Sequence, residues 1–262
     1  MNHTALYIDA PTPEQLRSLT PRDAHERYCS AGWIEQVSED GYTAMLKCPY
    51  CATRAAETEL RLAVEASGIG SRYLDTTWAD LDLPDPLPAL KAASERITEI
   101  ITSGHNALLA GPPGTGKTQA ATLLLKAAIA EGHTARLANI GHTAMTVRAG
   151  YDDHQAGDSE AAVVERLARP SLLVIDDIGA GEAGEGKLEL RILYFVLEQR
   201  QNARRATVLT SNLTPQQVTA FLGTRITNRL MPLETFVFNH GRNFRTPKGT
   251  NAWRPTTPEA TR

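Results

Sequence analysis

From about residue 105 onward, short runs of continuously apolar residues alternate with longer segments of helical period. The runs His105–Ala110, Thr134–Asn139, Ser171–Asp176 and Ala206–Thr210 read as strands, and stretches such as QAATLLLKAAIAE between them read as helices. Strands without a polar face, separated by helices, predict a parallel sheet covered on both sides, an α/β architecture. The first eighty residues follow another pattern. Thr12 before Pro13 and Thr20 before Pro21 are helix-start signals, predicting two short helices between residues 11 and 32. Trp33–Val37 and Tyr42–Lys47 read as hairpin strands joined through Asp40-Gly41, and a helix is expected from Ala52 to Ser67. The segment LDLPDPLP, residues 81–88, carries three prolines in eight positions, which breaks regular structure. The expected organisation is a small module over 1–80, a linker over 81–88, an α/β domain over 89–246 and a tail over 247–262. No internal repeat is visible.

Composition narrows the class. Apolar residues make up 42% and charged residues 22% of the 262, as in globular proteins, so most of the chain should fold. No apolar stretch reaches the roughly 18 residues of a membrane-spanning helix, and the start MNHTALYIDAPTP lacks the layout of a secretory signal. A cytosolic protein without membrane contact is expected. The three cysteines, Cys29, Cys48 and Cys51, lie in the first fifth of the chain, which leaves a local metal site or free thiols rather than a disulfide framework. The net charge of −3 is unevenly spread: from Gln199 onward, ten Lys and Arg face only Glu234 and Glu259. A basic end on an acidic body points to polyanions, or is simply a solvated surface.

The sharpest chemical signal is Gly111-Pro112-Pro113-Gly114-Thr115-Gly116-Lys117-Thr118, which follows the strand NALLA and opens a helix. Glycines let backbone N–H groups converge on phosphates, and the helix start adds partial positive charge at the same place. Lys117 suits the β and γ phosphates of ATP, and the Thr118 hydroxyl suits Mg²⁺. Some sixty residues later, LLVIDD ends an apolar strand on two carboxylates. Strand ends of a parallel sheet face the ligand crevice, which sets Asp176 at the Mg²⁺ and Asp177 at the attacking water as general base. The run ATVLTSN closes on Thr210, Ser211 and Asn212, and Asn212 is the residue expected to bond the γ-phosphate or the water, a helix cap being its alternative.

GPPGTGKT, LLVIDDIG, ILYFVLEQR, TSN, LGTRITNRL and the closing NFR, taken in order and spacing, resemble the DnaC/DnaI-type helicase loaders, a branch of the AAA+ P-loop ATPases. The resemblance covers about residues 105–246 and implies an AAA+ fold that binds and hydrolyses ATP. It implies that Arg229 is an arginine finger acting on a neighbouring subunit, with Arg225 as the alternative, and that Arg245 acts on nucleotide in its own subunit. Guanidinium groups suit charge spread over a transferring phosphoryl group.

The front end resembles the same family through Gly32-Trp33-Ile34, the pair Cys48-Pro-Tyr-Cys51 and Arg72-Tyr73. The family's first cysteine pair is reduced here to Cys29, with His25 four residues earlier. His25, Cys29, Cys48 and Cys51 make a set that suits tetrahedral Zn²⁺, free thiols being the other reading. The resemblance further implies binding of a DnaB-type replicative helicase through the N-terminal module, binding of single-stranded DNA, and self-association through the finger. Arg148 and Tyr151 are candidate DNA contacts, a cation beside a stacking surface. An IstB-type transposition helper and an ATP-holding adaptor are the alternatives.

Overall fold

The computed structural model describes residues 10–38, 40–81, 85–152, 159–179, 186–241 and 243–244, the last two of 85–152 by backbone alone. It divides into two compact units, Met1–Ala63 and Val64–Arg262.

In the first unit, α1 (Pro13–Arg17) is closed by a capping box between Thr12 and Gln15, and α2 (Pro21–Tyr28) starts where Thr20 accepts the Asp23 N–H. Three strands follow, β1 (Cys29–Ser30), β2 (Trp33–Val37) and β3 (Thr43–Lys47), antiparallel in the order β1-β2-β3. Helix α3 (Pro49–Ala66) begins immediately after Cys48 and runs past the division between the units. Ala24, Ile34 and Cys48 are the buried apolar residues of the first unit's cluster, with Leu16, Leu19, Tyr28 and Tyr50 packed around them.

The second unit begins earlier than the proline-rich segment expected to separate two domains. Val64, Ile69, Leu81 and Leu87 are buried in its core. Lys126 Nζ donates to the carbonyls of Leu74 and Thr76, which ties this entering segment down. Next come α4 (Leu87–Glu95), α5 (Ile97–Ser103), β4 (Asn106–Ala110), α6 (Lys117–Ala130), β5 (Ala135–Asn139), α7 (Ile140–Asp152) and α8 (Glu160–Ala168). The unit continues with β6 (Leu172–Ile178), α9 (Lys187–Asn202), β7 (Ala206–Ser211), α10 (Pro215–Leu230) and β8 (Leu233–Val237). The five strands are all parallel, in the order β5-β6-β7-β4-β8.

Both faces of the sheet are apolar, as the unbroken runs require. Leu173 and Ile175 of β6 pack among α7, α8, α9 and α10, while Leu172 and Val174 turn to the side of α4, α5 and α6. Four strands fall where the apolar runs put them. β1 and β8 were not anticipated, because β1 has two residues and β8 is an edge strand, LETFV, with mixed polarity.

One buried polar group braces this unit. Arg200 is 1% exposed and lies within ion-pair distance of no carboxylate among the described residues. Its guanidinium instead donates to the carbonyls of Leu167, Ala168, Pro170, Ser171 and Ala206, and to Thr207 Oγ1. It thereby joins the C-terminal end of α8 to the starts of β6 and β7, where orphan carbonyls need donors. Burial, and then the charge of Arg205, pull its pKa down to about 9.

Candidate functional site

Strand β4 delivers the chain into the glycine loop, and the loop is closed on its far side by residues that follow β8. Phe238 N–H donates to Ala110 O at 2.8 Å, Phe244 N–H to Gly114 O at 2.8 Å, and His240 Nε2 lies 3.2 Å from Thr115 O. The approach is close enough to dictate glycine. A Cβ at Gly111 (φ 150°) would sit 2.3 Å from the Phe238 carbonyl, and one at Gly114 (φ 80°) would sit 2.0 Å from Asn243 Oδ1. Lys117 opens α6 and is 6% exposed; its ammonium donates to Gly111 O and Pro112 O at 2.8 Å and to Asn212 Oδ1 at 3.0 Å.

Because β7 lies between β4 and β6, the end of β7 faces both the loop and the two aspartates. Asp176 Oδ1 accepts from Thr118 Oγ1 at 2.9 Å and from Thr210 Oγ1 at 2.6 Å. Asp177 has a left-handed backbone, φ 61°, and Asn212 Nδ2 donates to its Oδ1 at 2.7 Å. Lys117, Thr118, Asp176, Asp177, Thr210 and Asn212 together line a cavity of about 680 Å³, whose other walls include Arg72, Tyr73, Gln119, Asn139 and Phe244. The arrangement joins an anion-seeking ammonium at a helix start to a hydroxyl and a carboxylate, hard oxygen donors of the kind Mg²⁺ takes. Thr210 was passed over in the sequence in favour of Asn212. The signal was a hydroxyl at the next-to-last position of a strand that is buried along its whole length.

The sequence profile of the family described as IstB-like ATP binding protein matches residues 76–231, more than half of the chain, with Lys117, Thr118, Asp176, Asp177, Thr210 and Asn212 inside the match. The chain belongs to the IstB-like ATP-binding family. Relatives of this family member include YdaV of Escherichia coli K12, an uncharacterized protein, 29% identical over 92% of each chain. The replicative helicase loader DnaC of the same organism is 25% identical over 142 residues, 54% of this chain and 56% of DnaC, so the match spans little more than half of that relative. Among solved structures, the DnaC helicase loader superposes with a TM-score of 0.52 at 18% identity, covering 65% of this chain and all of that one. DnaI gives 0.56 at 18% identity, covering 65% and 95%. At such identities the likeness establishes the fold, an AAA+ P-loop sheet flanked by helices.

Other candidate residues of this IstB-like chain lie outside the cavity's lining. Arg229, near the C-terminal end of α10, donates to Tyr194 Oη at 2.6 Å and Glu198 Oε1 at 2.7 Å, with its guanidinium 4.4 Å from the Tyr194 ring centre. It borders a separate cavity of about 240 Å³ together with Asn106, Arg204 and Thr207, by the starts of β4 and β7, whereas the glycine loop follows the end of β4. Arg225 is exposed and lies 5.3 Å from the same ring. Arg148 is exposed on α7. Tyr151 is described by backbone alone, and Arg245 lies outside the described residues, as does the tail from 247.

The first unit brings His25, Cys29, Cys48 and Cys51 together, with all four ligand atoms within 4.8 Å of one another. Cys29 and Cys51 sulfurs are 3.7 Å apart, and His25 Nδ1 lies 3.3 Å from Cys51 Sγ and 3.6 Å from Cys48 Sγ. A tetrahedron with Zn–S bonds of about 2.3 Å has edges of roughly 3.7 Å, so the set fits Zn²⁺. Burial opposes ionisation of Cys48, but hydrogen bonds with the Cys51 N–H, His25 and the other thiols outweigh it and bring its pKa to about 7; burial and the neighbouring thiols push Cys51 to about 11.

Proposed function

We propose that this chain is an ATPase that loads a DnaB-type replicative helicase onto single-stranded DNA. The observation that carries the reading is the convergence, in one cavity, of Lys117, Thr118, Asp176, Asp177 and Asn212 from three separate segments of sequence. In this reading, Lys117 and the loop N–H groups hold the β and γ phosphates, and Thr118 and Asp176 hold Mg²⁺, which neutralises phosphate charge when bound. Asp177 takes the proton of the attacking water, and the Asn212 amide orients it. Arg229 reaches the nucleotide of a neighbouring copy, and Arg245 acts on nucleotide in its own chain.

The similarity to DnaC supports the partner: the N-terminal module, residues 1–80, binds the helicase, and Zn²⁺ on His25, Cys29, Cys48 and Cys51 holds that module folded. Arg148 and Tyr151 contact single-stranded DNA, and a cytosolic location follows from the role. The test is ATP hydrolysis by the full chain alone, with single-stranded DNA, and with a replicative helicase ring. Stimulation by DNA or helicase, abolished by Lys117→Ala and recovered in part when Lys117→Ala and Arg229→Ala chains are mixed, is the expected result. Failure of every co-assembled mixture would remove Arg229 from the neighbour's site. A second reading, a transposition helper of the IstB type, is compatible with the family match; co-purification with a transposase instead of a helicase would select it. An ATP-holding adaptor would show binding without turnover in all three conditions.

A further inference from the structure

Strand β7 and the residue that follows it end on three consecutive polar residues with different tasks. Ser211, fully buried, donates to Ile178 O at 2.7 Å and accepts the Leu213 N–H at 3.1 Å, bonding backbone alone. Asn212 bridges Lys117 and Asp177. Thr210, 1% exposed, uses one hydroxyl twice: it donates to Asp176 Oδ1 at 2.6 Å and accepts the Asp177 N–H at 2.9 Å.

The second bond answers a geometric difficulty. Successive side chains of a regular strand point to opposite faces, so two adjacent carboxylates cannot both line one cavity. Here β6 breaks register with β7 between Ile175 and Ile178, and Asp177 turns left-handed. Within that break the Asp177 N–H donates to the Thr210 hydroxyl, which ties the turn to β7. Resting on the nucleotide-site reading above, we propose that Thr210 is a positioning residue for the Mg²⁺–nucleotide complex, aiming Asp176 at Thr118 while holding the turn that brings Asp177 into the cavity.

The experiment titrates Mg²⁺ against equilibrium binding of a fluorescent ATP analogue to the full chain, with melting temperature measured in parallel. Outer groups that orient metal ligands typically change metal affinity by about 10- to 100-fold, so Thr210→Val should raise the Mg²⁺ midpoint roughly tenfold or more. Binding of the analogue without Mg²⁺, which relies on Lys117 and the loop, should stay unchanged. Thr210→Ser should keep the wild-type midpoint, and Ser211→Ala, the matched buried hydroxyl, should lower the melting temperature without moving the midpoint. Thr210→Ala replaces the valine variant if the latter does not fold. A midpoint within about twofold of wild type in a folded hydroxyl-less variant, or an equal shift with Ser211→Ala, would overturn the proposal. If the wild-type chain binds no nucleotide, the nucleotide-site reading itself fails, which is a separate result.

Discussion

The first unit buries three apolar residues, one of them Cys48 of its Cys and His cluster, whereas the second buries twenty on one face of its sheet and nineteen on the other, counting described residues. Burying one large apolar side chain contributes about 1.5–3 kcal/mol, while ordering one residue's backbone costs about 1–2 kcal/mol. A core of Ala24, Ile34 and Cys48 cannot offset the ordering of some fifty residues, and small units of this kind usually rely on a metal or a disulfide. The second unit has apolar surface to spare. It can therefore keep Lys117, Asp176 and Asp177 at the strand ends for chemistry. On the zinc and nucleotide roles proposed above, polar clusters have opposite parts in one chain: in the first unit they stand in for a core, and in the second they are carried by one.

The largest effect that tests this contrast is metal removal. Structural zinc supplies an apparent free energy of about 10–16 kcal/mol, so chelation, or Cys48→Ser, should unfold the first unit and leave the second folded. Elemental analysis should give one zinc per chain, and limited proteolysis should cut before residue 64; a chain free of zinc and equally protected would break the comparison. Next, Lys117→Ala should weaken ATP binding by about 2–5 kcal/mol, since it removes a buried charge from the phosphate end. Zinc content and melting of either unit should hardly change, as calorimetric titration and scanning would register.

Arg200→Leu should act in the reverse sense, on stability rather than on binding. It leaves several buried carbonyls without donors, at a cost of about 1–3 kcal/mol that lowers only the melting transition of the second unit. If that transition does not move, the brace between α8, β6 and β7 is not a stabilising element. The smallest effect belongs to Glu198→Gln, because the pair with Arg229 is partly exposed, its side chains 38% and 22% accessible. About 0.5–1 kcal/mol is expected in a double-mutant cycle with Arg229→Ala, and ATP affinity of the single chain should be unaltered.

What the sequence determined by itself was whatever depends on neighbouring residues. A glycine loop flanked by a strand and a helix, an apolar run closing on Asp176 and Asp177, and unbroken apolar runs between helices are local signals, and they sufficed for the parallel sheet and the centre of the site. His25 with Cys29 and Cys48 with Cys51 were legible as two local pairs, but only the fold brings the pairs within 4.8 Å. Tertiary structure alone decided the rest, because those contacts join distant segments through packing. The strand order put β7 between the two motifs, which is why Thr210 meets Asp176 across 34 positions of sequence and Lys117 meets Asn212 across 95. It drew Phe238, His240 and Phe244 against the glycine loop, leaving no room for a Cβ at Gly111. It recruited β8, an edge strand too mixed in polarity to be read without the partner that completes it.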